Sequence, residues 1–281
     1  MRMDGQEESS NVEDVRGMGG GGGGFSFGGR GLSIGGIVIA VIVGWIFGIN
    51  PLQLLGMMDG SDGGTTVQQQ GPAPAPPKDD PGARFVSRVL RSTEQVWGDV
   101  FRESGRTYQP PKLVLFSGSW PTACGQGQAA MGPFYCPEDR KVYIDLNFYR
   151  VLEQKLGAPG EFAQAYVVAH EVGHHVQNLL GVTGSVDQRD PSSSVAVELQ
   201  ADCLAGVWGN DAQKRGLIEN GDLDEGLNAA ASVGDDVLMA QAGQTVNPDN
   251  FTHGSAEERA SWLLRGFNTG SPDSCDTFAA A

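Results

Sequence analysis

The chain has 281 residues, a formal net charge of −15 and a pI near 4.5. That acidity excludes a phosphate-neutralising surface, so no nucleic-acid partner is expected. Many of its 42 glycines fall in the first 64 residues, which excludes one compact fold over the whole length.

Residues 1–31 are polar and acidic, then glycine-rich, with Gly19 to Gly24 unbroken. Such a composition cannot bury a core and predicts a disordered tail. Residues 32–50 read as a transmembrane anchor: Leu32 to Ile49 is an uncharged run of eighteen, enough to cross the hydrocarbon core as a helix. The long acidic stretch ahead of it, and the lack of a small-residue cleavage site after it, favour an uncleaved span over a signal peptide. Arg2, Arg16 and Arg30 precede the span and the next basic residue is Lys78. That asymmetry puts the N-terminus inside and the remainder on the exported side. Gly44 and Gly48 form a G-x-x-x-G pair, so a homodimer through the span is a further expectation.

Residues 51–83 form a Gly/Pro-rich linker, flexible first and then stiffened by alternating proline. The folded domain is expected over 84–281. Phe85, Val89, Val96, Trp97, Val100 and Phe101 mark an amphipathic helix. Lys112–Phe116 and Val142–Leu146 are short runs of β-formers and predict strands.

From Phe162 to Leu180 the apolar residues recur with the helical period. This helix carries H-E-x-x-H, filled by His170, Glu171 and His174. Positions four apart lie on one face, so both imidazoles can reach one ion, as zinc requires. Glu171 lies partly off that face, placed to take a proton without being a ligand. A zinc hydrolase needs a third protein ligand and keeps a fourth position open. The metzincin extension is excluded, because Gln177 and Leu180 stand where its glycine and third histidine belong. Val195 to Trp208 reads as a second helix with Glu198 and Asp202 at the i, i+4 spacing. Glu198 is the expected third ligand, with Asp187 or Asp190 of the intervening loop as competitors. A helix holds a ligand more rigidly than a loop does. Asp202 suits the role of accepting the far N–H of a ligand histidine.

H-E-V-G-H-H-V-Q followed by E-L-Q-A-D-C-L-A-G resembles the bacterial putative neutral zinc metallopeptidase family, membrane-anchored relatives of the gluzincins. The likeness extends to S-S-N-V-E-D-V-R-G (Ser9 to Gly17), C-P-E-D-R-K-V-Y-I-D-L (Cys136 to Leu146) and T-H-G-S-A-E-E-R (Thr252 to Arg259). It implies a predominantly helical α+β, zincin-like metallopeptidase domain with a small sheet, one zinc ion, and a strand along the cleft that an extended peptide or protein substrate can pair with. With the anchor it implies a bacterial cytoplasmic (inner) membrane protein, single-pass, with its lipid contact through one N-terminal helix.

The four cysteines, Cys124, Cys136, Cys203 and Cys275, all follow the span, and an even count there suggests disulfides. Cys124 with Cys136 would bracket one glycine-rich loop, and Cys203 with Cys275 would tie the C-terminal tail to the second ligand helix. Leu223–Ala240 reads as one more helical stretch, and Ser255 with Glu258 as a capping box opening a last helix. His253, just before that cap, is a candidate donor to the oxyanion, as in thermolysin-like enzymes, or else a loop histidine joined to the cap. His175 is turned about 100° from His174 and reads as structural. Tyr143, Tyr149 and Tyr166 are further oxyanion candidates between which the sequence does not choose.

The function these features predict is zinc-dependent peptide hydrolysis with Glu171 as general base. Its rivals are a non-catalytic envelope adaptor with a structural zinc, and a hydrolase of a cell-wall peptide amide.

Overall fold

The computed structural model describes residues 1–18, 73–129, 132–186 and 190–279. It is mostly helical, with a four-stranded sheet and a two-stranded hairpin. Strand β1 is Val12–Asp14, helix α1 Pro81–Glu103 and β2 Lys112–Leu115. The hairpin is β3 (Ser119–Thr122) with β4 (Gly125–Gln128), followed by β5 (Phe134–Cys136) and β6 (Lys141–Ile144). Helices α2 (Asn147–Gln154), α3 (Glu161–Leu180), α4 (Val182–Ser185) and α5 (Pro191–Lys214) come next. The chain closes with α6 (Asp222–Ser232), α7 (Asp235–Gln241) and α8 (Ala256–Thr269).

The sheet runs β1-β2-β6-β5, parallel across its first three strands and antiparallel at β5. Leu113, Leu115, Val142 and Ile144 point into the main core with the helices, while Val114, Phe116 and Tyr143 build a smaller cluster on the other face. Burial on both faces explains why β2 and β6 read as unbroken apolar runs.

Helices α1 and α3 lie where the periodicity puts them, α8 follows its expected cap, and α5 reaches beyond the expected 195–208 at both ends. Asp80 caps α1 by accepting from the Ala83 N–H, with Pro81 opening the helix. Asp190 caps α5 in the same way, and Ser255 with Glu258 forms the expected capping box of α8. The stretch 223–240 is two helices rather than one. The break is the extended backbone of Gly234 (ψ 142°), and the missing side chain there lets the start of α8 approach, since a Cβ would stand 2.3 Å from the backbone N of Ala256. Both expected disulfides are present, Cys124–Cys136 and Cys203–Cys275.

The N-terminal segment requires a correction. Residues 1–18 are no separate disordered tail: β1 pairs in parallel with β2, Val12 opposite Leu113, and Met1 and Met3 are buried in the main core. The Met1 amine lies 3.1 Å from Asp222 Oδ1, and Arg16 bridges Asp14 and Asp80. The single-pass topology, with the N-terminus inside and the catalytic domain outside, does not hold. One crossing between residues 18 and 73 would leave β1 and β2 on opposite sides of a bilayer, and their ladder forbids that. The apolar run at 32–50, with Gly44 and Gly48, lies outside the described residues, as does most of the linker. Among the described residues, no helix is long and apolar enough to cross a membrane. The expected fold class is therefore corrected to a mostly helical protein with small sheets and no membrane-spanning helix among the described residues, and the single-pass inner-membrane location with the N-terminus inside is withdrawn with it.

Candidate metal centre

Helices α3 and α5 cross at Gly173. A Cβ there would stand 2.9 Å from the carbonyl oxygen of Ala201. The absent side chain lets the two backbones touch, and the contact lies inside H-E-x-x-H on one helix and between Glu198 and Asp202 on the other. Sequence spacing thus becomes spatial convergence. His170 Nε2 lies 3.1 Å from His174 Nε2, 3.3 Å from Glu198 Oε2, and His174 Nε2 is 3.4 Å from Glu198 Oε1.

These distances test whether the residues fit a metal. Nδ1 of His170 faces Asp202 Oδ1 at 2.8 Å, and Nδ1 of His174 faces Gln177 Oε1 at 2.9 Å. With both Nδ1 atoms donating to oxygens, both Nε2 atoms present lone pairs, and Glu198 adds a carboxylate. Donors brought together in this way suit a cation. Tetrahedral zinc, with bonds of about 2.0–2.1 Å, holds its ligand atoms roughly 3.3–3.4 Å apart. The group His170, His174 and Glu198 fits it.

The electrostatics agree. Burial pulls the His170 pKa down, yet Asp202 and Glu198 outweigh it and lift it to about 10. Burial pushes Glu198 up, and His174 and His170 hold it well below its ordinary range. The point where these groups meet favours positive charge, which a divalent cation supplies. Glu171 is buried, and burial raises its pKa, with His170 and His174 opposing. A carboxyl tuned upward in this way suits proton transfer near neutral pH.

Asp202 takes the predicted place behind His170, and it does more. It has no exposed surface, and it also accepts from Tyr166 Oη, from Arg259 Nε at 2.9 Å and from Arg259 Nη2 at 3.1 Å. Arg259 was missed because a buried arginine reads like any solvated charge beside the capping box. Its nearest signal is membership of the T-H-G-S-A-E-E-R run.

His253 is held by Asp235, Nδ1 to Oδ1 at 3.1 Å, and the backbone N–H groups of Thr252, His253 and Gly254 all donate to Asp235 Oδ2. The loop packs on α5 beside Glu198: Ser194 Oγ donates to Thr252 O, and Gly254 abuts Leu199 and Val195. Asp235 was not foreseen either, since it is one of two aspartates opening a short helix.

His175 turns away from the site, as helix geometry predicts. Its Nε2 donates to Gln109 O at 2.7 Å, Nδ1 accepts from Tyr135 Oη, and burial holds its pKa at about 4. Among the tyrosines, Tyr166 is committed to Asp202, Tyr143 to Asp139, and Tyr149 is buried in the main core. Asp190 is the exposed cap of α5, so it does not compete as a ligand, and Asp187 lies outside the described residues.

Fold and site together define a mostly helical protein whose H-E-x-x-H helix and a following helix form a His-His-Glu group suited to a metal ion. The chain belongs to the family described as "Putative neutral zinc metallopeptidase", whose pattern matches residues 1–278. It is 48% identical over 290 residues to "Uncharacterized protein YpfJ" of Escherichia coli (strain K12), covering 99% of each chain. To "Uncharacterized protein Rv2575" of Mycobacterium tuberculosis (strain ATCC 25618 / H37Rv) it is 43% identical over 212 residues, 70% of this chain and 72% of that one. No solved structure matches the chain.

Proposed function

We propose that the chain is a zinc-dependent peptidase that holds one ion through His170, His174 and Glu198. The observation that carries this is the three-way approach of Nε2, Nε2 and a carboxylate at 3.1–3.4 Å, with both Nδ1 atoms committed elsewhere. Zinc held there supplies Lewis acidity, lowering the pKa of a water and polarising the substrate carbonyl. Glu171, one residue along from His170, takes a proton at its carboxylate from the attacking water. It then passes that proton to the nitrogen of the departing amine. Against the pull of burial, Asp235 at Nδ1 and the nearby Glu198 charge favour the protonated ring of His253, and the imidazolium then has Nε2–H left to donate to the carbonyl oxygen as negative charge develops. Asp202 and Arg259 keep His170 in the tautomer and orientation that ligation needs.

The test pairs metal content with hydrolysis of an unstructured protein such as casein. Glu171→Gln is expected to keep one zinc per chain and lose about 10²–10⁴-fold in rate. Glu198→Ala is expected to lose the zinc itself. Hydrolysis by Glu171→Gln at the wild-type rate discards the reading.

A further inference from the structure

The two histidines are supported in different ways. Behind His170 stands a carboxylate; behind His174 stands Gln177, an amide with no exposed surface. An amide can face either way, and its neighbours decide which. Nε2 of Gln177 lies 2.7 Å from the carbonyl oxygen of Val197 and 3.0 Å from Oε1 of Gln200. A carbonyl only accepts, so the nitrogen end of Gln177 must point at Val197 and its oxygen end at His174. The Gln200 amide is read off in the same way, since its Nε2 lies 2.9 Å from the carbonyl oxygen of Cys275. Cys275 is pinned to α5 by its disulfide to Cys203. The relay runs from His174 Nδ1–H to Gln177, to Gln200 and to the Cys275 carbonyl, and two backbone oxygens set its polarity.

We infer that Gln177 is the positioning residue of His174: it fixes the Nδ1–H tautomer and so keeps the Nε2 lone pair turned to the metal. The inference rests on the metal site proposed above and adds to it the means by which its second histidine is oriented. It also gives the C-terminal segment a part in that site, because the Cys275 carbonyl orients Gln200.

The experiment measures zinc affinity of the full-length protein by chelator competition, together with the ¹⁵N-histidine spectrum of the zinc-free protein. Only four histidines are present, so each can be assigned. Wild type is expected to show His174 as the Nδ1–H tautomer. Gln177→Met keeps the shape of the side chain and removes both hydrogen-bonding ends. It is expected to bind zinc roughly 10–100-fold more weakly and to show a mixture of His174 tautomers. Gln200→Met leaves the Val197 contact in place and is expected to weaken zinc by roughly threefold to tenfold and to admit a minor share of the other His174 tautomer. Placed in the Gln177→Met background, it should add no further loss.

A folded Gln177→Met protein with wild-type affinity and an unchanged His174 signal overturns the inference alone. If that variant does not fold, Gln200→Met with wild-type affinity and spectrum overturns it instead. A folded wild type that binds no zinc overturns the metal site, and this inference with it.

Discussion

Asp202 shows what a single buried carboxylate demands. Burial alone raises its pKa, but Arg259 and His170 outweigh that and hold it below its ordinary value. The Arg259 guanidinium supplies two near-parallel bonds, Nε to Oδ2 and Nη2 to Oδ1, the geometry in which arginine pairs most strongly. A pair of this kind adds little net stability compared with an apolar pair, yet breaking it strands a charge in the core. Arg259→Met is therefore expected to cost about 3–5 kcal/mol of unfolding free energy. Urea denaturation of the zinc-free protein measures it. A loss under about 1 kcal/mol would show that Asp202 finds another partner or takes up a proton.

At the scale of elements, the decisive contact is the crossing of α3 and α5. Gly173→Ala sets two effects against each other. Alanine is favoured over glycine in a helix by about 1 kcal/mol. Against that, the new Cβ would meet the Ala201 carbonyl oxygen at 2.9 Å and its Cα at 3.1 Å, both backbone atoms that cannot rotate aside. Overpacking of this sort costs about 1–3 kcal/mol, so the clash is expected to win. The helices must then separate, and Glu198 moves away from the two imidazoles. Zinc affinity should fall while helix content by circular dichroism stays unchanged. An alanine variant with a higher Tm and full zinc affinity would sink the close-packing account. A similar contact sits deeper in α5, where a Cβ on Gly266 of α8 would stand 1.9 Å from the Cys203 carbonyl oxygen. Small residues on both sides thus let α5 be gripped by α3 and α8 together.

For the molecule as a whole, the N-terminal segment completes the sheet and is clasped at two points whose charges respond oppositely to pH. Hydrogen bonding to Arg16 lowers the Asp14 pKa against burial. Asp80, raised by burial, is lowered overall by the Ala83 N–H and by Arg16. Depressed carboxylates contribute stability above their unfolded values, and that contribution is lost as pH falls through the folded ones. The Met1 amine behaves the other way. Burial lowers its pKa, but Asp222, with Glu219 and Glu161, raises it above 8.0. Its contribution is complete below pH 8.0 and is lost as pH rises through the elevated value. The Tm of wild type is expected to decline between pH 8 and 10 by more than that of Asp222→Asn, which should start lower and run flatter. Parallel curves for the two proteins over that range would remove the Met1 clasp from the account.

Much of the site was legible before any coordinates. H-E-x-x-H is local: helix geometry alone puts His170 and His174 on one face and turns His175 away. Glu198 and Asp202 followed from their helical spacing, and the Ser255–Glu258 capping box announced where α8 begins. What the residue order could not show is which distant groups meet. Arg259, Asp235 and Gln177 are unremarkable by type and gain their roles only through contacts across helices. Ser9 to Gly17 carries no periodicity long enough to declare a strand, and β1 exists only because β2 offers it an edge. That pairing also overturned the single crossing read from residues 32–50. Hydropathy judges a segment by its own composition, whereas the sides on which its two ends lie are set by what those ends touch.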